Sequence, residues 1–256
     1  MYRLELFLVS MFLLAAQNPQ SGQKFDVKLD VDRARVILEE DYDALGEYEF
    51  ERHVRRQKLD KSGSVTWSTA YHFDVTPQAP GFDEQLVEID GREPTQAEIA
   101  EHREAKRFEK RHETRGSLKN PFGRDISVLP LLFEQRHEYV GRRVVRGQPC
   151  HKTKFSARNP PTKMPARRRL TYVLEGEACF SVNGNHVVEA EMETTRSVSS
   201  GVVTLHFLRV RLELEPAGDG NWLPSRFEVR SDVRIGLSRF RKSNVYRYTN
   251  PRRPER

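Results

Sequence analysis

The sequence predicts a mainly β protein with a few helices, of the α+β class. Three observations carry this. From Leu170 onward, apolar and charged residues alternate with period two through successive segments. Turn residues such as Asn183-Gly184-Asn185 separate those segments at hairpin spacing. Only two stretches of any length, residues 31–45 and 95–115, read as helices.

Taken in order, the first segment reads as a cleavable secretory signal, residues 1–17. Arg3 precedes an apolar run from Leu6 to Ala16, too short to span a bilayer comfortably, and cleavage is expected near Ala16 or Gln17. Glu5 is unusual in such a leader, and an uncleaved anchor or short buried helix is the alternative. No Cys follows the run, so a lipidated N-terminus is not expected. A linker, 18–27, leads to a single domain over 28–250, and 251–256 form a basic tail. An exported, periplasmic or secreted location follows from the leader.

Residues 31–45 form the first helix, with Asp30 or Asp32 as its cap and Val36, Ile37 and Leu38 as a short apolar stripe. A hairpin follows, turning at Lys61-Ser62-Gly63-Ser64. Its return strand sets Trp67, Thr69, Tyr71 and Phe73 against Thr66, Ser68, Ala70 and His72, the signature of half-burial. The polar helix 95–115 comes next, and two strands join near Gly147-Gln148. A Pro-rich loop carries Arg167, Arg168 and Arg169.

Strands dominate from Leu170. Leu170, Tyr172, Leu174, Ala178 and Phe180 share one face, opposite Glu175, Glu177, Cys179 and Ser181. Val188, Ala190 and Met192 oppose Glu189, Glu191 and Glu193. Val202 to Glu215 is a long strand, and Phe227, Val229, Val233, Ile235 and Leu237 alternate with charged residues. Asn244-Val245-Tyr246-Arg247-Tyr248 makes a last strand. One face of this meander is apolar and must be covered. The sheet closes into a barrel, packs on a second sheet, or curls into a half-barrel plugged by helices. Mid-strand charge rows such as Arg226, Glu228, Arg230, Asp232 and Arg234 require water and argue against a membrane barrel.

Charge is uneven. Residues 28–51 hold three basic and nine acidic residues, a net of −6, whereas 136–169 hold eleven basic residues against Glu138, a net of +10. Residues 239–256 hold seven basic residues against Glu255, a net of +6. Basic blocks read first as a solvated face; they also fit an anionic partner, and for an exported chain an anionic membrane surface fits better than nucleic acid. A nucleic-acid reader would interleave stacking aromatics, and 136–169 offer only Tyr139 and Phe155.

The order of several segments resembles the exported outer-membrane lipoprotein-sorting proteins, the LolA/LolB-like class. The segments are the leader, the early helix and hairpin, Asp90-Gly91-Arg92-Glu93-Pro94, the strand around Gly176-Glu177-Ala178-Cys179-Phe180, Gly220-Asn221-Trp222-Leu223-Pro224, and Tyr246-Arg247-Tyr248. The resemblance is closest to a bacterial secreted subgroup of that class and spans roughly residues 28–250. It implies an antiparallel open β-barrel, a half-barrel whose apolar concave face is lidded by helices and holds acyl chains. That subgroup often bears Trp-Ile-Asp where this chain has Cys179-Phe180-Ser181, so no family site residues are carried over. The hydrophobic-ligand face expected here is Phe180, Val188, Met192, Phe227, Val229, Val233 and Ile235, with Arg167, Arg168 and Arg169 as contacts to an anionic surface.

No G-x-S-x-G, P-loop, G-x-G-x-x-G or HExxH spacing occurs. No catalytic residue, cofactor or metal is therefore assigned. His72 and Asp74 lie two apart on one strand face and could share a site, though a plain surface pair is the preferred reading. Cys150 and Cys179 fall on polar faces of neighbouring strands. If directly opposed, the paired numbers sum to 329, so a disulfide is geometrically open, as are two free thiols.

The leading functional expectation is a non-enzymatic, monomeric carrier of a lipid, an acylated protein or another hydrophobic ligand. A structural or protein-interaction domain with a self-filled core is the alternative, and a hydrolase with a scattered site is third. Helix 95–115 carries five Glu and six Lys or Arg, with a T-x-x-E cap at Thr95 and Glu98. Opposite charges at Glu104–Arg107, Lys106–Glu109 and Lys110–Glu113 support it, and its apolar stripe is thin. It reads as a loosely held cover or as a plain surface excursion.

Overall fold

A computed structural model of the chain describes residues 25–78, 82–112, 130–161, 164 and 166–254, without the side chains of 106–112, 130, 166 and 167. The predicted leader with its cleavage position, most of the linker, and the i, i+3 charge pairs of helix 95–115 lie outside the described residues and side chains. Among the described residues, no helix is long and apolar enough to cross a membrane.

The chain runs α1 (Val27–Leu45), β1 (Glu49–Leu59), β2 (Val65–Pro77), β3 (Phe82–Ile89), α2 (Gln96–His112), α3 (Pro130–Phe133), β4 (Glu138–Val145) and β5 (Gln148–Phe155). It continues through α4 (Ala166–Val173), β6 (Leu174–Ser181), β7 (Val187–Thr194), β8 (Val198–Ser200), β9 (Val203–Pro216), β10 (Trp222–Ile235) and β11 (Ser238–Arg252). The eleven strands form one antiparallel sheet in the order β3-β2-β1-β11-β10-β9-β7-β6-β5-β4, with β8 hanging on β9. β3 and β4 are its two free edges, so the sheet is an open half-barrel with helices on its apolar face.

Helix α1 begins earlier than expected, inside the predicted linker, because Asp26 is the better cap. Its carboxylate accepts from Lys28 and Leu29 N–H at 3.1 Å, and Asp30 accepts from Asp26 N–H at 2.7 Å. The helix buries Val31, Ala34, Leu38 and Leu45 against the sheet. Two turns at the upper end of the sheet grip it. Asn185 donates to Asp30 at 3.1 Å, and Trp222 N–H donates to Asp41 at 3.0 Å. Asp41 also meets His186 Nδ1 at 2.9 Å, while the His186 ring stacks on Trp222. Asn185 holds a φ of 58°, which explains the Asn-Gly-Asn turn that presents both residues to the helix.

The alternation predicts the core well. Val188, Ala190 and Met192 are buried, as are Phe227 and Val229, while the intervening glutamates face outward. The segment from Ala166 to Val173 differs from expectation. Ala166–Val173 form α4, not a basic loop followed by a strand, and β6 starts only at Leu174. Alternation of Leu170, Tyr172 and Leu174 imitates a strand, but Arg is a good helix former and Thr171 Oγ1 donates back to the Arg168 carbonyl at 2.7 Å. The nominal tail is partly strand. β11 reaches Arg252, which pairs with Glu49, and Arg253 pairs with Glu47 and Asp219.

The cysteines are not directly opposed. Cys150 faces Ser181 and Cys179 faces Lys152, so paired numbers sum to 331, and the two are diagonal neighbours with Cα atoms 5.6 Å apart and sulfurs at bonding distance. Both lie on the outer face, as expected, yet both are buried. Arg143 stands opposite Cys150 and pairs with Glu189, the residue opposite Cys179, at 2.6 Å. These long charged side chains roof the sulfurs.

Candidate functional site

The concave face divides into a covered upper half and an open lower half. Phe180, Val188, Met192, Phe227 and Val229 are all buried in the continuous core that α1 and α3 complete. They are packing residues with no free surface to offer. Val233 is only half-buried and Ile235 is 49% exposed, so the predicted face continues past the helices into solvent there.

Register shows what surrounds these two. Val233 pairs with Leu205 of β9 and Phe240 of β11, and Ile235 pairs with Val203. Directly paired residues point to one side of a sheet, so all five share the concave face. Val203 and Phe240 are 39% and 45% exposed, and Leu205 is half-buried. The stretch is the lower, uncovered continuation of the core.

A cationic border adjoins it. Lys242 pairs with Ser231 on β10 and with Lys58 on β1, and Lys58 pairs with Trp67 on β2. Lys58 Nζ lies 5.3 Å above the Trp67 ring and the Arg56 guanidinium 5.2 Å from Tyr71. Such placement over ring faces holds long cations in position. Among the described residues none of Arg56, Lys58 and Lys242 has a carboxylate at ion-pair distance. One step further up, Arg52 is different. It is buried, pairs with Glu84 at 2.7 Å and lies over Phe73, so its charge is already answered. The concave face thus runs from apolar core, through a neutralised cation, to cations without a counter-charge.

Helix α2 begins beside this face. Thr95 and Glu98 form the expected capping box: Glu98 accepts from Thr95 N–H at 2.8 Å, and Thr95 Oγ1 accepts from Glu98 N–H at 3.3 Å. Arg92 grips Glu98 with two hydrogen bonds, at 2.9 and 2.6 Å. The Arg92 bond, then the Thr95 N–H, lowers the Glu98 carboxyl to about 2. The helix touches the sheet through His102, whose ring lies 4.9 Å from Phe73.

Arg168 of α4 is exposed and Arg169 half-buried, while the Arg167 side chain lies outside the described set. α4 packs beside β8 at the lower end of the sheet, the same end as the open stretch. A separate groove of about 380 Å³ lies over β5–β7, lined in part by Lys152, Lys154, Glu177, Glu189 and Glu191. Its charges answer each other, as Lys152 does with Glu177 at 2.6 Å. It therefore offers an apolar ligand little.

One buried imidazole, His137, serves structure. His137 Nε2–H donates to the Leu132 carbonyl at 2.9 Å, and Nδ1 meets Thr153 Oγ1 at 2.9 Å, which ties α3 to the sheet. Burial lowers its pKa. For the hydrolase reading, Ser197 Oγ and His206 Nδ1 are 3.3 Å apart on the surface. The other ring nitrogen of His206 has no hydrogen-bond partner among the described residues, so the orienting acid of a catalytic triad is missing there.

With this geometry in hand, the chain can be set beside known proteins. No protein-family model matches it, and no curated protein does. Solved structures do. A DUF1329 family protein from Desulfovibrio piger aligns at 13% identity over 90% of this chain and 94% of its own, with a TM-score of 0.37. A putative outer membrane lipoprotein-sorting protein domain from Vibrio parahaemolyticus aligns at 9% identity over 87% and 92%, with a TM-score of 0.35. The MucA/MucB complex of Pseudomonas aeruginosa contributes a chain at 11% identity over 89% and 99%, with a TM-score of 0.25. The sorting class named from the sequence is thus among the similar structures. The half-barrel itself rests on the strand order above, and no residue role is transferred.

Sequence reasoning missed Arg56, Lys58, Lys242, Phe240, Leu205 and Val203. Each is an ordinary strand residue. Only the alignment of the successive strands β9, β10 and β11, and the pairing of β11 with the distant β1, sets them side by side.

Proposed function

We propose that the chain is an exported, non-enzymatic carrier of a single-chain anionic amphiphile. The acyl chain lies along Val203, Leu205, Val233, Ile235 and Phe240, and the anionic head sits among Arg56, Lys58 and Lys242. One observation carries the reading: the concave face stays apolar below its helices and ends at cations without a counter-charge among the described residues. Burying hydrocarbon contributes about 0.8 kcal/mol per CH₂, so six methylenes give about 5 kcal/mol before the costs of association. Export rests on the leader, residues 1–17. Arg168 and Arg169 at the same end would add about 1 kcal/mol per charge at an anionic membrane surface, which suits loading there.

The test is direct. The purified chain is extracted for co-purifying lipid by mass spectrometry and titrated with a fluorescent fatty acid, an anionic lysophospholipid and an acylated peptide. Binding of the free amphiphiles with loss in Ile235→Asp and Phe240→Asp supports the proposal. Binding of the acylated peptide alone assigns the acyl chain to a protein. A ligand-free chain that ignores all three probes overturns it in favour of a self-filled structural domain.

A further inference from the structure

On the opposite, convex face, β1 and β2 bring together three side chains that take no part in the acyl-binding face. His53 and His72 are directly paired across the hairpin, and Glu51 lies two residues before His53 on the same side. The two imidazoles stack with centroids 4.3 Å apart. Their Nε2 atoms converge on one oxygen: Glu51 Oε2 is 3.5 Å from His53 Nε2 and 3.6 Å from His72 Nε2. All three donor atoms lie within 4.8 Å of one another. Asp74 Oδ1, beside them, is 3.8 Å from His72 Nε2.

We propose that Glu51, His53 and His72 form a binding site for a divalent transition-metal ion, with Zn²⁺ the best fit. Tetrahedral zinc with ligands at about 2.0–2.1 Å places its donor atoms about 3.4 Å apart, so the two imidazole separations to Glu51, 3.5 and 3.6 Å, need to close only slightly. Two imidazoles with a carboxylate suit zinc, copper or nickel, whereas Mg²⁺ and Ca²⁺ prefer all-oxygen shells.

Two further observations point the same way. His72 Nε2 is shielded from solvent yet has no hydrogen-bond partner among the described residues. A buried imidazole nitrogen normally finds a donor or acceptor, and a metal in the gap supplies the missing partner. The carboxylate is also held from behind. Asn250 Nδ2 donates to Glu51 Oε1 at 2.9 Å, which leaves Oε2 for the ion, and Thr249 Oγ1 lies 3.4 Å from both Glu51 Oε2 and His53 Nε2. Outer contacts of this kind orient metal ligands. The electrostatics agree: across the ladder His72 faces Glu88 and His53 faces Arg247, so with Glu51 and Asp74 three acids surround the histidines against one base.

A bound ion would cross-link β1 to β2 and, through Thr249 and Asn250, to β11. The site is independent of the acyl reading, since it lies on the other face of the sheet.

The experiment uses the full mature chain, stripped with a chelator and dialysed. Zn²⁺ is titrated calorimetrically and in competition with a chromophoric chelator. One equivalent is expected to bind, with on the order of tenfold or greater loss of affinity in His53→Ala and in His72→Ala and a smaller loss in Asn250→Ala. Urea midpoints of each apo variant report folding separately, and His186→Gln serves as the histidine control. Zn²⁺ should raise the thermal midpoint of the wild type and leave His53→Ala/His72→Ala unmoved. Absence of a stoichiometric site, or unchanged affinity in a folded double variant, overturns the proposal.

Discussion

Reduction of the Cys150–Cys179 pair is expected to be the largest chemical perturbation this fold can suffer without mutation. The two cysteines are 29 residues apart in sequence and their Cα atoms 5.6 Å apart. Closing a loop of that length in the unfolded chain removes entropy worth about 3.6 kcal/mol at 25 °C on the chain-entropy estimate. For a domain of this size that is a fall of about 7–14 °C in the thermal midpoint. The sulfurs are buried under Arg143 and Glu189, so reduction keeps their packing and isolates the cross-link term. The assay is urea and thermal unfolding with and without a phosphine reductant, with Cys150→Ala/Cys179→Ala in parallel. Reductant should shift the wild type and leave the double variant still. Full alkylation of both thiols in the native, unreduced protein, or a wild-type shift below about 1 kcal/mol, would refute the cross-link and its assigned weight.

Four other outcomes are expected. Gly176→Ala should destabilise by about 1–3 kcal/mol in urea, because a Cβ there would meet the Glu191 carbonyl at 2.0 Å, the Met192 Cα at 2.8 Å and the Phe155 ring at 2.9 Å. Glu84→Gln should cost about 3–5 kcal/mol by stranding the Arg52 charge, and Arg52→Met/Glu84→Leu should recover most of it; a double-mutant cycle reads both. The Glu98 carboxyl should titrate near pH 2 by carbon NMR and rise towards 4.5 in Arg92→Ala. Its folded pKa is depressed, so its support of α2 is complete above 4.5 and is lost as pH falls through about 2. His137 has the opposite charge logic: burial favours its neutral form, so stability should begin to fall as pH drops through about 6.5, with the slope reduced in His137→Gln.

Much of this architecture is legible in the chain because period-two alternation is a local property. Val188, Ala190 and Met192 against three glutamates can point only one way in a half-buried strand. Alternation misleads at Leu170-Thr171-Tyr172, where a single helical turn happens to share the pattern. Caps are legible when box-like, as at Thr95 and Glu98, and ambiguous where aspartates crowd, as at Asp26, Asp30 and Asp32. The open stretch is non-local, since Val203, Ile235 and Phe240 meet only after three long strands align. The histidine pair is hidden by a bulge: beside the Lys61-Ser62-Gly63-Ser64 turn Leu59 pairs with Val65, a register that would set His53 against Tyr71, and only the shift between Lys58 and Leu59 brings His53 opposite His72.

The position of β11 has a kinetic consequence. It is inserted between β1 and β10, in the interior of the sheet, so Glu49 finds Arg252 across 203 residues of chain. Until that strand arrives, β1 presents a bare edge and the two blocks β3-β2-β1 and β10-to-β4 have no shared hydrogen bonds between them. Contacts at such separation must be closed against chain entropy before they return any stability, which makes folding slow and late. A nascent chain of this topology stays unlocked, and therefore threadable through a narrow pore, for most of its synthesis.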